Sequence, residues 1–345
     1  MSEQIDLNYI KKDKENTSKQ LQNTKVVNPL MKILKIRQAY PLWMKEGISK
    51  QRINSAIDLY GRDGIYVSFS GGKDSTVLHY LVAEVEMERF GDIKIPRVFV
   101  DTGLEFPELK QFVYELKKEL GDIVIILRAD LNFRQVLNIY GYPIISKSQA
   151  MAIRKLTTQN LSDKYRNKLL HGDEKGTAGK LSNKWHYLLE APFKISEQCC
   201  DVMKKRPFHK YEKTTGRIPI TGVMANESNN RSIRYIKDGG CNAFDNKRPQ
   251  SKPLSTWLTK DILEYLKTHK KRYCEVYGDI IEKDGKFVTT GEQRTGCVFC
   301  PLGCHLEIGE NRFQRLKKTH PKLHSYCMDQ LGMKEVLNYI GVESE

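Results

Sequence analysis

The 345-residue chain is 39% hydrophobic and 29% charged, with 57 Lys and Arg against 42 Asp and Glu and a formal net charge of +15. These proportions exclude a fibrous, low-complexity or membrane-embedded protein and are those of a globular chain long enough to bury a sizeable core. The excess charge is concentrated, since residues 1–55 hold 11 basic and 5 acidic residues, residues 147–217 hold 16 and 7, and the remainder is neutral.

Residues 1–28 are rich in Lys, Asn, Gln, Ser and Thr, lack apolar periodicity and read as a disordered basic tail. They are polar rather than signal-like, and the expected location is the cytoplasm, with no membrane partner. Over residues 29–61, apolar positions at helical spacing (Leu30, Ile33, Leu34, Ile36, then Ile48, Ile53, Ile57, Leu59) predict N-terminal helices. Strands expected at Ile65–Ser68, Arg97–Asp101 and Ile123–Leu127 alternate with helices expected at about 74–88, 107–120 and 133–140. This alternation predicts an α/β fold with a parallel, doubly wound sheet and ligands at the carboxyl ends of its strands. Residues 146–213 read as a basic helical insertion with a mobile loop near 171–180, ending in the pair Cys199-Cys200. The sheet resumes near 217–224, and a helix is expected over 256–268. The nucleotide-binding domain is therefore expected over 62–145 and 214–270, followed by a cysteine-rich C-terminal segment over 271–345.

Between the first strand, which ends at Ser68, and the first sheet-flanking helix lies Ser70-Gly71-Gly72-Lys73-Asp74-Ser75. Two glycines let the backbone bend and bring its N–H groups to a phosphate, and the helix that follows points its positive end there. Lys73 adds a mobile cation and Asp74 a carboxylate able to hold Mg²⁺. The pattern is not Gly-x-x-x-x-Gly-Lys-Ser/Thr, because the glycines are adjacent and the lysine follows at once.

With this hexapeptide the chain resembles the PP-loop ATP pyrophosphatases, and within them the branch of phosphoadenosine phosphosulfate (PAPS) reductases and DNA-phosphorothioation sulfurtransferases. Val98 to Glu108, containing Asp101-Thr102-Gly103, is similar to that family's second strand and turn. The segment from Gly222 to Arg231, with Glu227 and Ser228, resembles the Gly-x-x-x-x-Glu-Ser-x-x-Arg element of the sulfurtransferases. Pro253-Leu254 with Trp257 and Asp261 resembles the element beyond it. The resemblance implies an adenine nucleotide α-hydrolase-like fold that binds ATP and Mg²⁺ and cleaves between the α and β phosphates. The implied ligands of nucleotide and metal are Ser68, Ser70, Gly71, Gly72, Lys73, Asp74, Ser75, Asp101, Thr102, Gly103, Glu227 and Arg231.

Eight cysteines in a chain of this kind are not a disulfide framework, so metal or redox chemistry is the competing explanation. Cys199-Cys200 and Cys297-Val298-Phe299-Cys300 together make a four-thiolate set suited to an iron–sulfur cluster or to zinc, with unligated thiols the remaining alternative. Resemblance to the Cys-Cys…Cys-x-x-Cys pattern of adenylylsulfate reductases favours [4Fe–4S]. Cys304 is either a ligand in place of Cys199 or a free redox or persulfide-carrying thiol.

The intact loop with Lys73 separates this chain from reductases, whose loop is degraded because they start from an adenylated sulfate. The chain also lacks their C-terminal Glu-Cys-Gly-Leu-His motif. The implied function is an ATP-dependent iron–sulfur sulfurtransferase acting on nucleic acid, with Lys73, Asp74, Arg231 and Cys304 as its catalytic residues. A PAPS or adenylylsulfate reductase and a nucleotide-sensing nucleic-acid-binding regulator are the alternatives. The two basic windows fit DNA or tRNA as partner, or else solvated lysine-rich surface. A cysteine desulfurase or another sulfur donor and self-association into an oligomer complete the expected partners.

Overall fold

The structure, a computed structural model, describes residues 29–173 and 179–344. The expected tail over 1–28 and the centre of the expected loop at 171–180 lie outside the described residues. The chain divides into two compact units: one takes in residues up to Phe99, Pro107–Ile126 and Tyr211–Arg294, the other Val100–Phe106, Leu127–Lys210 and Thr295–Glu345.

The first unit is built on a mostly parallel sheet flanked by helices. Helices α1 (Pro29–Gln38) and α2 (Leu42–Tyr60) lead into β1 (Ile65–Ser68), followed by α3 (Lys73–Phe90), β2 (Arg97–Asp101), α4 (Pro107–Leu120) and β3 (Val124–Arg128). After the second unit's helical segment, β4 (Ile218–Thr221) rejoins the sheet, whose order is β3-β2-β1-β4-β6-β5 with β5 (Asn242–Ala243) and β6 (Gln250–Ser251) at one edge. Strand β1 pairs in parallel with both β2 and β4, with Ser68 opposite Val98 on one side and Thr221 on the other. The connections therefore reverse direction at β1, and its carboxyl end is the switch point where open α/β sheets bind ligands.

Apolar periodicity explains the layers. In α4, Leu109, Phe112, Val113 and Leu116 recur at positions i, i+3, i+4 and i+7 and are all buried. In α3, Val77, Leu78, Leu81, Val82 and Val85 are fully buried. Inside this core, Arg97 at the start of β2 pairs with Glu86 at 2.7 Å, and the same carboxylate accepts from the N–H groups of Lys94 and Ile95 at 2.7 Å. A buried charge is tolerated only when so satisfied.

Gly71 has φ +73°, and a Cβ there would stand 2.9 Å from Leu109 Cδ2 and 3.0 Å from Val113 Cγ2. Left-handed backbone and contact with α4 both demand glycine, so Gly71→Ala should cost about 1–3 kcal/mol. Chemical denaturation would check this, and an unchanged midpoint would contradict it.

The second unit is largely helical. It contains α5 (Phe133–Tyr140), α6 (Lys147–Thr158), α7 (Asp163–His171), a 3₁₀ segment (Asn183–Glu190), a π-helical turn (Asp201–Lys205) and most of the C-terminal helices. Ser146 caps α6 by accepting from the Gln149 N–H at 3.2 Å. The turn Asp201–Lys205 runs straight into α8 (Arg206–Thr215). No described helix is long and apolar enough to cross a membrane.

Candidate active site

The loop at the carboxyl end of β1 is closed on itself. Ser75 Oγ donates to the Gly72 carbonyl at 2.9 Å and accepts from the Ser70 N–H at 3.1 Å. Thr76 Oγ1 also donates to Gly72 O, at 3.0 Å. The Gly72 N–H donates to Ser70 Oγ at 3.4 Å. Two of the amides expected to cradle phosphate are thus engaged within the loop in this form, because a turn satisfies its own donors when it can. Gly222, just past β4, abuts the start of α3: a Cβ there would lie 3.1 Å from the Asp74 carbonyl. The glycine that opens the Glu-Ser-x-x-Arg element therefore lets β4 approach the loop.

Lys73 and Asp74 open α3 side by side in buried surroundings. The Lys73 N–H donates to the Tyr277 hydroxyl at 3.1 Å, its ammonium donates to the Gln293 carbonyl at 2.9 Å, and Nζ stands 5.3 Å from the centre of the Tyr277 ring. Burial pushes the Lys73 pKa down, against the attraction of Asp74 and with the repulsion of Arg294. Burial likewise raises the Asp74 carboxyl, although Lys73, Arg294 and Arg231 all pull it the other way. One oxygen of that carboxylate, Oδ1, is buried without a hydrogen-bond partner. Arg231, in α9 (Asn229–Lys237), is ion-paired with Glu227, and its pKa is lowered by burial and by Arg294. Glu227 in turn accepts from the Met224 N–H at 3.0 Å.

Three cations, Lys73, Arg231 and Arg294, thus act on one half-buried carboxylate. Buried polar atoms without partners are rare in folded proteins. An orphaned carboxylate oxygen in the field of three cations suits a divalent metal with a polyphosphate, the oxygen binding the metal and the cations the phosphate. Sequence reasoning found Lys73, Asp74, Glu227 and Arg231 but not Arg294, Tyr277 or Gln293. The one signal for Arg294 is its place two residues before Gly296-Cys297.

Asp101, Thr102 and Gly103 fall in the second unit. There Asp101 Oδ1 accepts from the Gly103 N–H at 3.0 Å, and Glu105 folds back to accept from the Thr102 hydroxyl at 2.6 Å and its N–H at 3.1 Å. The Val298 N–H donates to the Leu104 carbonyl at 2.8 Å, tying this turn to the Cys-x-x-Cys segment. Ser68 is partly exposed at the end of β1.

The second unit also brings together the cysteines expected to act jointly. Burial raises the Cys199 thiol, and Cys297, Cys200 and Cys300 raise it further. Burial pushes Cys297 up to about 11 against the pull of Lys204, with Cys300, Glu105 and Cys200 adding to the rise. Cys300 is raised by burial and by Cys200. Lys204 hydrogen-bonds Cys297; although burial opposes its charge, Cys297, Glu105 and Cys200 hold its pKa above the ordinary value. The Cys300 carbonyl accepts from Arg312 at 2.8 Å. Cys304 is buried, pushed up to about 11 by burial, and in electrostatic contact with Cys300. Among the described residues no three His, Cys, Asp or Glu are gathered tightly enough to hold a metal ion as they stand. The four thiols are neighbours within one another's fields, not a closed coordination sphere.

The sequence model of the phosphoadenosine phosphosulfate reductase domain matches residues 64–167 and 157–306. Two curated relatives are the uncharacterised proteins MJ0066 and MJ0973 of Methanocaldococcus jannaschii. The first is 26% identical over 262 residues, covering 75% of this chain and 39% of the relative. The second is 25% identical over 271 residues, covering 77% and 47%. The chain therefore spans less than half the length of the curated relatives it matches. Similar solved structures include PAPS reductase from Candida auris in a phosphate complex, at 12% identity and TM-score 0.37 over 75% of this chain and 98% of that one. FMN adenylyltransferase from Candida glabrata is similar at 14% identity and TM-score 0.39, over 78% and 67%, and its ATP complex at the same identity and score over 81% and 70%. Structural likenesses this loose carry no argument about the site. The family assignment rests on the sequence match, which runs through the loop, the second-strand turn, the Glu-Ser-x-x-Arg element and both cysteine pairs: the chain belongs to the phosphoadenosine phosphosulfate reductase domain family, with its PP-loop adenine-nucleotide-binding domain.

Proposed function

We propose that this protein cleaves ATP between its α and β phosphates to adenylate an oxygen of a nucleic acid, and that sulfur then displaces AMP. The observation that carries this reading is the half-buried Asp74 carboxylate, whose buried Oδ1 has no hydrogen-bond partner and which feels the charges of Lys73, Arg294 and Arg231. A sulfonucleotide reductase receives its substrate already adenylated and has no pyrophosphate to expel. Three cations converging on the loop's carboxylate suit a leaving pyrophosphate instead. Asp74 would hold Mg²⁺, which neutralises phosphate charge when bound. Lys73 and Arg294 would take up the negative charge that grows on the β-phosphate as the acceptor oxygen attacks the α-phosphorus. Arg231, steadied by Glu227, would orient the α-phosphate. For the loop amides of Ser70 and Gly72 to reach phosphate, they exchange their internal hydroxyl partners for phosphate oxygens.

Cys199, Cys200, Cys297 and Cys300 would hold an iron–sulfur cluster, the soft-ligand centre suited to sulfur chemistry. What supports this is the chemistry of the donor set, four thiols in one another's electrostatic fields in a half-buried to buried setting with Lys204 hydrogen-bonded to Cys297, although they would have to draw closer to close around a cluster. Cys304, a buried thiol in the field of Cys300, would carry sulfur or else stand in for Cys199 as a ligand. A cysteine desulfurase or similar persulfide donor would load it.

Nucleotide preference tests this reading. The full chain should bind ATP with Mg²⁺ in preference to PAPS, and Arg294→Ala should weaken ATP by roughly 10- to 100-fold, the loss expected for a charged hydrogen bond. Tight PAPS binding with no measurable ATP affinity would overturn it.

The basic window 147–217 supports the nucleic-acid acceptor. Lys164, Arg166 and Lys168 are exposed on α7, and reversing all three charges should weaken DNA or tRNA binding most at low salt while leaving ATP affinity unchanged. Equal affinity in the variant would remove this support.

A further inference from the structure

A pocket of about 60 Å³ lies in the second unit, lined by none of the residues assigned above. Leu131, Val202 and Pro207 contribute its apolar surfaces, while Arg128, Arg206, Lys210 and a single carboxylate, Asp130, supply its charge. One water needs roughly 10–15 Å³ by the same measure, so the space has room for a tetrahedral oxyanion.

Three cations to one carboxylate leave the lining with a net positive charge. Lys210 stands 4.0 Å from Asp130, and both side chains are well exposed to solvent, so the pair is largely screened. Arg206 is positioned more firmly: its Nε is 3.2 Å from Asp201 Oδ2, Nη1 donates to the Tyr140 hydroxyl at 3.5 Å, and the guanidinium lies 5.9 Å from the centre of the Tyr140 ring. Arg128 is exposed at the end of β3. Two guanidinium groups offer the forked donors that match phosphate oxygens. The π-helical turn Asp201–Lys205 is all that separates Cys200 from Arg206 in the chain.

We propose that this pocket binds one phosphodiester of the acceptor nucleic acid, fixing the strand's register relative to the cysteine pair. The proposal rests on the nucleic-acid acceptor of the preceding section. It adds a specific anchoring point, distinct from the diffuse charge of α7. A free phosphate ion has the same chemistry, and the test separates the two sources.

Binding of labelled single-stranded DNA, duplex DNA and tRNA to the full chain is measured across a salt series. Wild type is compared with the triple variant Arg128→Gln, Arg206→Gln, Lys210→Gln and with Arg128→Gln alone, an exposed position that spares the fold. The triple variant should lower the slope of log affinity against log salt by about one and weaken binding roughly 10-fold near 0.1 M salt, as expected for one lost phosphate contact. Arg128→Gln should move both in the same direction by less, with ATP affinity unchanged in each variant. Wild-type slope and affinity in both variants would overturn the pocket while leaving the acceptor reading intact. Inorganic phosphate bound by calorimetry in the wild type and lost in the variants, with nucleic-acid binding unchanged, would assign the pocket to a free ion and overturn the proposal. Wild-type protein that binds none of the three nucleic acids would sink the acceptor reading itself.

Discussion

Lys73→Ala should reduce pyrophosphate release from ATP by roughly 100- to 1,000-fold, the cost of removing one preorganised electrostatic group from a site of charge development. Lys73 is 6% exposed, and its ammonium donates to the Gln293 carbonyl and stands over the Tyr277 ring. Neither partner carries a charge, and Asp74, whose carboxylate attracts the ammonium, would be engaged by the metal when nucleotide binds, leaving Lys73 to face phosphate. Alanine keeps helix propensity at the first position of α3, and the apolar core beneath, from Val77 to Val85, is untouched. Thermal unfolding should therefore shift by only a few degrees while turnover collapses. Pyrophosphate release within a few-fold of wild type would show that Lys73 does not meet the leaving group.

The second large effect concerns the cysteines. Protein prepared without oxygen should be brown and contain about four irons per chain, the content of a cubane cluster held by four thiolates. Cys200→Ser and Cys300→Ser should each bleach it and lower its melting temperature, because both positions lie among thiols that interact through buried surroundings. Cys304→Ser divides the two roles open to that residue. Colour retained with sulfur transfer lost makes it the carrier, whereas lost colour makes it a ligand. Stoichiometric zinc in colourless protein, even when prepared anaerobically, would contradict the cluster.

Much of the fold is legible in the sequence because the informative segments are strongly patterned. The expected strands at Ile65–Ser68 and Arg97–Asp101 coincide with β1 and β2. The third begins one residue late, at Val124, because Gly121–Ile123 closes a 3₁₀ turn first. Within the expected helical insertion, Asn183–Glu190 is 3₁₀ rather than α-helical; its apolar spacing fits either form. The two-residue strands β5 and β6 and the β7–β8 hairpin (Ile280–Lys283, Lys286–Thr289) are too short or too polar to announce themselves.

The site is legible in the same uneven way. Lys73 and Asp74 stand in a local motif, and Glu227 with Arg231 in a second. Arg294 and Tyr277 come from segments more than 200 residues beyond the loop in sequence, and only the folded chain brings them to it. Nor does the motif reveal that Ser70 and Gly72 N–H groups are satisfied by hydroxyls of their own loop. Hydrogen-bond partners within a turn depend on its dihedral angles, which residue identity alone does not set.

Cleavage between the α and β phosphates, coupled to a nucleic-acid acceptor, is read most directly from the product pair. Anaerobically prepared protein is incubated with Mg-ATP, with and without DNA or tRNA, and AMP, ADP, pyrophosphate and phosphate are quantified together. Equal amounts of AMP and pyrophosphate, rising when nucleic acid is added and absent in Lys73→Ala, are the predicted result. ADP with inorganic phosphate, or no ATP consumption alongside reduction of PAPS to sulfite, would contradict the account.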